Sequence, residues 1–284
     1  MTPLREKFSL QFKGKTLDLG DKTCLVGILN ITPDSFYDGG RYYGPEEAAA
    51  HAEKMVEEGC DILDIGGQST RPASEPISTE EELNRVLPVL TAVRKKSKVL
   101  ISIDTYRSEV ARVCLQEGAD LINDVSSFRM DTMMPTTVAQ FGVPVVCMHY
   151  LERLHPMPEN PFYKNLFGEI LAFFRETFRI AEVAGIKKEQ IIVDPGIGFG
   201  KNLEHNLQIF KQLSFLKELH RPILVGPSRK SFIQKITGLA PEERLEGTAA
   251  AVGACLMQGA HLIRVHDVGF FRRYCDVMDA VIRS

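Results

Sequence analysis

Residues 58–67, EGCDILDIGG, contain the junction between a predicted helix and a predicted strand. The preceding segment, Glu46 to Glu58, carries apolar residues at helical spacing, and Gly59 suits the left-handed conformation that commonly ends a helix. The apolar run that follows predicts a strand that is buried on both faces. Similar junctions occur at 117–125, 258–267 and, in a looser form, 184–196. The chain therefore alternates helices with short buried strands.

Short apolar or β-branched runs bounded by turns predict eight strands, at 24–29, 61–65, 99–103, 120–123, 145–148, 191–193, 223–226 and 262–265. Helical segments such as Arg107 to Glu117 separate them, which favours parallel pairing through right-handed crossovers. Eight such units in about 260 residues predict a single α/β (β/α)8 TIM barrel, whose usual length is about 250 residues. An open doubly wound sheet is the alternative. The closed barrel is favoured because no terminal strand resembles an edge.

The N-terminal sequence predicts a separate small element. The segment FSLQFKGKTLDLG at 8–20 alternates in polarity around Lys13-Gly14-Lys15, which is typical of a β-hairpin. We expect this hairpin to cap the N-terminal mouth of the barrel. No linker rich in Ser and Pro divides the chain, so the predicted organisation is a hairpin cap at 1–22 and a barrel at 23–284.

Composition narrows the class of protein. The 284 residues include 34 Lys+Arg against 37 Asp+Glu, a near-neutral balance that supplies no basic field for binding nucleic acid. The N-terminal sequence lacks a secretory apolar region, and no run approaches the roughly 18 apolar residues of a membrane span. Six cysteines without a C-x-x-C pair predict neither a disulfide framework nor a zinc site. We therefore expect a cytoplasmic protein with no nucleic-acid or membrane partner.

Polar residues follow every predicted strand. They are Asn30, the segment Gly66–Arg71, Asp104, Asn123–Asp124, His149, Asp194, Ser228–Lys230 and His266–Asp267. A polar residue at one strand end is commonly a turn former or a helix cap. All eight ends would meet at one face of a barrel, where barrel enzymes place their active sites. The full ring therefore predicts a single functional site.

Residue types within the ring indicate what it binds. Asp104, Asn123 and Asp194 form a set of hydrogen-bond acceptors suited to a flat heterocycle with several N–H donors. A metal pair or an acid/base pair is the alternative, although the spacing fits no standard metal motif. Ser228, Arg229 and Lys230 open a predicted helix, where an anion could bind; a capped helix with solvated basic residues is the alternative.

Three glycine-containing loops are candidates for ligand contact. DPGIGFGK at 194–201 is neither a P-loop nor a dinucleotide-binding motif, and its glycines predict a tight backbone path with Phe199 as a stacking face. The loops at 30–44 and 67–79 are long for a compact domain, and we expect them to be mobile lids over the site. They carry Asp34, Asp38 and Arg71.

The ordered motifs NITPDSF, GGQSTRP, SIDTYR, IND, DPGIGFGK, SRKSF and RVHD resemble those of the dihydropteroate synthases, the folate-pathway enzymes that sulfonamides inhibit. The resemblance covers nearly the whole chain from about residue 24, and the family's fold is a (β/α)8 barrel. It implies a transferase that condenses 6-hydroxymethyl-7,8-dihydropterin pyrophosphate with 4-aminobenzoate to give 7,8-dihydropteroate and pyrophosphate. It also implies Mg²⁺ as cofactor, sulfonamides as competitive inhibitors and a homodimer.

The resemblance also implies residue roles. Pterin binding falls on Asp104, Asn123, Met148, Asp194 and Lys230. Aminobenzoate binding falls on Thr70, Arg71, Pro72, Phe199, Lys230 and Ser231. Pyrophosphate binding falls on Asn30, Arg264 and His266, with Mg²⁺ on Asn30. The catalytic set is Asp34, Asp38, Asp104 and Lys230.

A weakly nucleophilic aniline nitrogen favours early departure of pyrophosphate, so we expect a substitution with SN1 character, with Asp34 or Asp38 near the cation. The sequence departs from the family pattern at Gln68, where the family usually has Glu, and in the segment 150–162, to which we assign no ligand contact. Two rival functions share the pterin floor: a methyltransferase acting between methyltetrahydrofolate and a corrinoid protein, and a non-catalytic paralogue. The Ser-Arg-Lys-Ser turn and the S-T-R-P loop favour the synthase.

Overall fold

The computed structural model describes residues 4–31, 45–68, 77–151 and 161–284. A two-stranded antiparallel hairpin, β1 (Phe8–Phe12) and β2 (Lys15–Leu19), precedes eight parallel strands. These are β3 (Cys24–Asn30), β4 (Ile62–Gly66), β5 (Leu100–Asp104), β6 (Leu121–Asp124), β7 (Val145–Met148), β8 (Ile191–Asp194), β9 (Leu224–Val225) and β10 (Leu262–Val265). Every predicted strand is present, with bounds that differ by no more than one residue at either end.

The eight strands close into a barrel. Hydrogen bonds connect them in the order β8-β7-β6-β5-β4-β3-β10-β9, and a parallel bridge between Val193 and Ile223 joins the two ends of this series. The prediction of a (β/α)8 barrel with an N-terminal hairpin is therefore confirmed, and the open doubly wound sheet is excluded. The division into units at 1–22 and 23–284 stays a prediction.

Helices surround the strands. They are α1 (Pro45–Glu57), α2 (Thr79–Lys96), α3 (Ser108–Gln116), α4 (Met134–Phe141), α5 (Leu166–Ala184), α6 (Leu203–Gln212), α7 (Ser231–Thr237), α8 (Leu245–Met257) and α9 (Val268–Arg283). The glycines at the helix-to-strand junctions, Gly59, Gly118, Gly185 and Gly259, have φ between +89° and +99°. A side chain would be strained in this left-handed region, so glycine at these junctions lets each helix stop and the chain turn into the next strand. No helix within the described residues is long and apolar enough to cross a bilayer.

The hairpin closes one end of the barrel. Leu10, Phe12 and Leu19 pack against the inward-facing side chains that begin the strands, including Val26 and Ile62. A larger apolar layer lies between the outer faces of the strands and the helices. The predicted cap at the N-terminal mouth is thus observed, and the opposite mouth, formed by the carboxyl ends of the strands, carries the polar residues.

A buried ion pair fastens this closed end. Arg5 Nη1 lies 2.8 Å from Asp279 Oδ1, and Thr23 donates to the same carboxylate from its backbone N–H and its hydroxyl, both at 2.7 Å. The Arg5 and Asp279 side chains are each only 2% exposed. The cluster therefore joins the residues before the hairpin, the start of β3 and α9.

Replacing Asp279 with Ala is expected to lower the free energy of unfolding by about 3–5 kcal/mol, because Arg5 would stay buried without a counter-ion. Urea denaturation measures this change. Asp276→Ala, on the exposed face of the same helix, removes a surface pair with Arg272 and should cost at most about 1 kcal/mol. Equal losses for the two variants would contradict the structural role of the buried pair.

Candidate active site

Three predicted pterin ligands lie side by side at the carboxyl ends of the strands. Asp104 ends β5 and is paired in register with Asn123 of β6, and Asp194 at the end of β8 is paired with Met148 of β7. All four side chains are buried. We call Asp104, Asn123 and Asp194 the acceptor floor. The parallel register brings these residues, far apart in the chain, to one face of the barrel.

Arg264 crosses the barrel interior to reach this floor. Its Nε lies 2.7 Å from Asp64 Oδ2, and its Nη2 lies 2.8 Å from Asp104 Oδ2. Asp64 Oδ2 also accepts a hydrogen bond of 3.0 Å from Asn123 Nδ2. The guanidinium thus neutralises two carboxylates and leaves Nη1 as the nitrogen directed to neither of them.

Burial raises the pKa of both carboxyl groups of the acceptor floor. The pKa of Asp104 is raised to about 7, chiefly by burial; Arg264 opposes the rise and the charge of Asp64 adds to it. Burial also raises the pKa of Asp194, against the opposing charge of Lys230. Among the described residues, Asp104 Oδ1 is a buried oxygen without a hydrogen-bond partner. A ligand in the site can therefore supply the missing donor; Asp64 Oδ1 is a second such oxygen.

Lys230 brings two loops together. Its Nζ donates to the carbonyl oxygen of Ile197 and lies 4.6 Å from the centroid of the Phe199 ring. Burial lowers its pKa to about 8, and the nearby Asp194 carboxylate opposes this fall. Phe199 itself packs against the apolar cluster that contains Met148. Lys230, Phe199 and the acceptor floor therefore belong to one site, as the sequence predicted.

The 194–201 loop follows the tight path expected from its glycines. A Cβ atom on Gly196 would lie 1.9 Å from the carbonyl oxygen of His149, a distance no side chain tolerates. Lys201, at the end of the loop, is buried and its Nζ lies 2.9 Å from His149 Nδ1 and 3.0 Å from the Phe199 carbonyl oxygen. His149 is also buried, so its imidazole is structural and not exposed to solvent. This packing holds Phe199 in place from below.

The predicted anion-binding residues form a second group beside the floor. Ser228 Oγ lies 2.9 Å from His266 Nδ1 and accepts from the His266 backbone N–H at 3.3 Å. Arg229 makes an ion pair with Asp267, so its charge is already balanced. Ser231 is exposed at the first residue of α7. This second group is therefore polar. Of its two predicted cations, Lys230 lies toward the acceptor floor, whereas Arg229 does not contact the floor.

Asn30 ends β3 beside Gly66 of β4. Its Oδ1 and the Oδ2 of Asp104 lie 3.6 and 3.8 Å from the point where a Cβ atom of Gly66 would sit. The absence of a side chain at Gly66 therefore leaves a space between Asn30 and Asp104. Asn30 is half-buried and faces the same mouth as the other predicted ligands.

Gln68 is part of a hydrogen-bonded network next to the acceptor floor. Its Nε2 donates to the Tyr106 hydroxyl at 3.1 Å, and its Oε1 accepts from Arg107 Nη1 at 2.7 Å. Arg107 also pairs with Glu82 and donates to the Ile77 carbonyl oxygen. A glutamate at 68 would share one guanidinium with Glu82, and burial already raises the pKa of Glu82. The neutral amide avoids two buried carboxylates at one arginine.

Several predicted residues and segments lie outside the described residues. They are Asp34, Asp38, Thr70, Arg71, Pro72, most of both predicted lids, and 152–160.

One important residue was missed by the sequence reasoning: Asp64, which lies inside the apolar run of β4. A signal was present, because Asp64 is an ionisable residue at an inward-facing position of a strand otherwise buried and apolar.

Comparison with known proteins agrees with the fold and identifies the family. The sequence model of the family described as "Pterin binding enzyme" matches residues 26–266. A curated dihydropteroate synthase of Clostridium beijerinckii is 42% identical over 96% of this chain and 100% of its own length. The one of Synechocystis is 45% identical over 95% of this chain and 94% of its own.

Solved structures show the same similarity. The crystal structure of the Yersinia pestis dihydropteroate synthase with a sulfonamide drug complex has a TM-score of 0.93 and 39% identity, covering 98% of this chain and 100% of the other. That of Xanthomonas albilineans with 4-aminobenzoic acid has a TM-score of 0.90 and 40% identity, covering 97% and 98%.

The barrel and its acceptor floor define a pterin-binding TIM-barrel enzyme. Within that class, the chain belongs to the dihydropteroate synthases, which are transferases of folate biosynthesis. The corrinoid methyltransferase and the non-catalytic paralogue are thereby set aside.

Proposed function

We propose that the acceptor floor binds the pterin ring of 6-hydroxymethyl-7,8-dihydropterin pyrophosphate, which the enzyme joins to 4-aminobenzoate. The observation that carries this assignment is the convergence of Asp104, Asn123 and Asp194 with Lys230 at one mouth of the barrel. Asp104 Oδ1, which has no hydrogen-bond partner in the described part of the chain, is suited to an N–H donor of the ring. Met148 supplies an apolar surface beside Asp194.

The proposed reaction breaks one C–O bond and forms one C–N bond. Pyrophosphate leaves the exocyclic carbon with the bonding electrons, and the electron-rich pterin ring spreads the positive charge that remains. The aniline nitrogen then attacks this carbon and its extra proton passes to solvent. Arg264 Nη1 and His266 are proposed to bind the departing diphosphate, whose negative charge grows in the transition state; the bonds of Arg264 Nε and Nη2 to Asp64 and Asp104 support this role for Nη1. This is a substitution with SN1 character.

Mg²⁺ is proposed to arrive with the substrate. Among the described residues no group of three His, Cys, Asp or Glu side chains could hold a metal, and Asn30 offers one neutral oxygen. Mg²⁺ usually keeps several waters and binds one or two protein oxygens together with substrate phosphates, which fits this sparse set of donors. When bound, the ion would neutralise charge on the diphosphate. Asn30 would orient it at the edge of the floor.

The 4-aminobenzoate site is proposed to lie between Phe199 and the first turn of α7. The Phe199 ring offers an aromatic face, and the exposed Ser231 hydroxyl offers a hydrogen bond to a carboxylate. Lys230 is proposed to contact both ligands, because its Nζ lies over the Phe199 ring and its charge acts on Asp194 of the acceptor floor. Thr70, Arg71 and Pro72 would complete this site, as the resemblance implies.

The decisive test measures pyrophosphate release from the pterin pyrophosphate with and without 4-aminobenzoate. Release that depends on both compounds, with dihydropteroate formed in equal amount, supports the proposed reaction. Pyrophosphate release at the same rate without the amine would identify a hydrolase and overturn it. A sulfonamide should compete with 4-aminobenzoate and not with the pterin substrate.

The rate is expected to depend on pH in a bell shape. kcat/KM for the pterin substrate should fall below about pH 7, where Asp104 gains a proton and no longer accepts from the ring. It should also fall above about pH 8, where Lys230 loses its proton and its charge. Initial rates between pH 5.5 and 9.5, with buffers matched in ionic strength, test this expectation. A flat profile over this range would contradict both roles.

We also propose that the enzyme acts as a homodimer in the cytoplasm. The resemblance implies the dimer, and exposed apolar side chains on α7, α8 and α9 support it. They are Ile236, Met257, Val277 and Val281. Sedimentation at micromolar concentration tests the assembly, and a monomer at that concentration would overturn it.

A further inference from the structure

Asp64 is the most deeply enclosed carboxylate of the site. It lies in the middle of β4 and is 1% exposed, whereas the proposed ligands end their strands. Its inward-facing neighbours on the strand are Ile62 and Gly66. It lies two residues before the end of β4, one inward-facing position below the strand ends that carry the proposed ligands. Its contacts are with Arg264 and Asn123, two residues assigned to the substrate.

These contacts connect strands that do not touch one another. Asp64 belongs to β4, Asn123 to β6 and Arg264 to β10, and none of these three strands is hydrogen-bonded to another of them. The backbone ladder therefore leaves the side chains of Asn123 and Arg264 without mutual orientation. One oxygen, Asp64 Oδ2, accepts from both, at 3.0 Å and 2.7 Å.

The charge of Asp64 matters as much as its position. Arg264 divides its guanidinium between Asp64 and Asp104. A substrate N–H that binds Asp104 draws on the same carboxylate that balances Arg264. Asp64 remains as a permanent counter-ion, so Arg264 stays paired on one side while the substrate occupies the other side of Asp104.

We infer that Asp64 is a positioning residue for the pterin substrate: it fixes Asn123 and Arg264 in their binding orientation and releases Asp104 to accept the ring N–H. The inference rests on the proposed function, because it assigns the substrate to Asp104 and Asn123. An asparagine at 64 could not replace the carboxylate. Its amide oxygen could stand in the place of Oδ2 and accept from both donors, but the side chain would lack the negative charge that balances Arg264.

Asp64→Asn is therefore expected to raise KM for the pterin pyrophosphate about 10- to 100-fold, because the bond to Arg264 loses its charge and Arg264 then draws more strongly on Asp104. KM for 4-aminobenzoate should change far less, since no proposed contact of that substrate involves Asp64. Asp279→Asn is the matched control. It alters an equally buried aspartate that pairs with an arginine at the closed end of the barrel, so it should lower stability without raising either KM.

The pH profile of kcat/KM distinguishes a positioning role of Asp64 from a loss of stability in the Asp64→Asn variant. The charges that act on Asp104 come from Arg264, Asp64, Glu82, Asp124 and Lys230. Because the negative charge of Asp64 raises the pKa of Asp104, its removal should move the acid limb of kcat/KM to lower pH. The Asp279→Asn control should keep the limb in place. A merely destabilised enzyme would lose activity without this displacement.

Asp104→Asn, measured in parallel, distinguishes failure of the proposed function from failure of the role assigned to Asp64. Activity retained in Asp104→Asn would overturn the proposed function. Activity lost in Asp104→Asn, with wild-type KM and an unmoved acid limb in Asp64→Asn, would overturn only the role of Asp64. Elevated pterin KM together with the displaced limb supports it.

A measurement on the unaltered enzyme covers the case in which Asp64→Asn does not fold. The Nε–H of Arg264 gives an NMR signal that can be assigned by its loss in Arg264→Lys. With Asp64 as its permanent partner, this proton should exchange slowly and keep its shift when a non-reacting pterin, 6-hydroxymethylpterin, is bound. Rapid exchange, or a large change in shift on binding, would overturn the inference.

Discussion

Lys230→Ala is expected to retain the fold and to lower kcat/KM about 10²- to 10³-fold. Among the charges that oppose the effect of burial on the pKa of Asp194, that of the Lys230 ammonium group is the largest, and the group is proposed to contact both substrates. Its removal takes away the largest charge that favours ionised Asp194 and leaves Lys201 and Arg264 to oppose burial, so the expected loss corresponds to about 3–4 kcal/mol. The cost appears in binding, because the pKa of Asp194 then rises further and its carboxyl group becomes a weaker acceptor for the pterin.

Steady-state rates with both substrates varied measure this loss. Lys235→Ala is the control, because Lys235 lies on the same helix and is exposed. It should behave as wild type, and circular dichroism should show both variants folded. Unchanged turnover in Lys230→Ala would show that the proposed pterin and aminobenzoate sites are misplaced.

Asp104→Asn is expected to lower kcat/KM for the pterin substrate about 10³- to 10⁴-fold. An amide would turn an N–H group toward either Arg264 or the ring, and a site built to accept a hydrogen bond discriminates strongly against a mismatched group. The variant should also lose the acid limb of its pH profile, because asparagine does not titrate near pH 7.

Rates and pH profiles of the same preparation test both parts of this expectation. Asp120→Asn is the control: Asp120 forms an ion pair of 2.6 Å with Arg94 at the start of β6, at the closed end of the barrel. It should keep the acid limb and most of the activity. An acid limb that persists in Asp104→Asn would assign that limb to another group.

The barrel was predictable because its determinants are local. Each strand is a short run that is apolar on both faces, and a left-handed glycine marks several of the helix ends, so periodicity alone located the elements. The weakest strand also has a local cause. Pro222 and Pro227 flank the run 223–226 and lack an N–H donor, which limits β9 to Leu224–Val225.

The position of the site was predictable for a related reason. In a parallel barrel all carboxyl ends meet, so residues that end strands necessarily converge, and Asp104, Asn123 and Asp194 do so. The identity of the acceptors followed from residue type. The structure therefore adds little to the list of described ligands at the mouth.

The connections across the barrel were not predictable from the sequence. Asp64 stands out locally as an ionisable residue in an apolar strand, but no local pattern names its partner, and only the closed barrel brings it to Arg264, 200 positions later. The same holds for Arg107, which joins Gln68 to the carbonyl of Ile77. Such contacts depend on barrel radius and strand stagger, which no periodicity encodes.

The hairpin closes the N-terminal mouth of the barrel, so substrates reach the proposed site through the opposite mouth. Leu10, Phe12 and Leu19 fill the closed end, so two reactants and two products must share a single passage. The substrate that binds deeper in the barrel must bind first, and it cannot dissociate while the second substrate is bound nearer the mouth. For the sites proposed, the pterin precedes the amine, and saturating amine should hinder the pterin's entry.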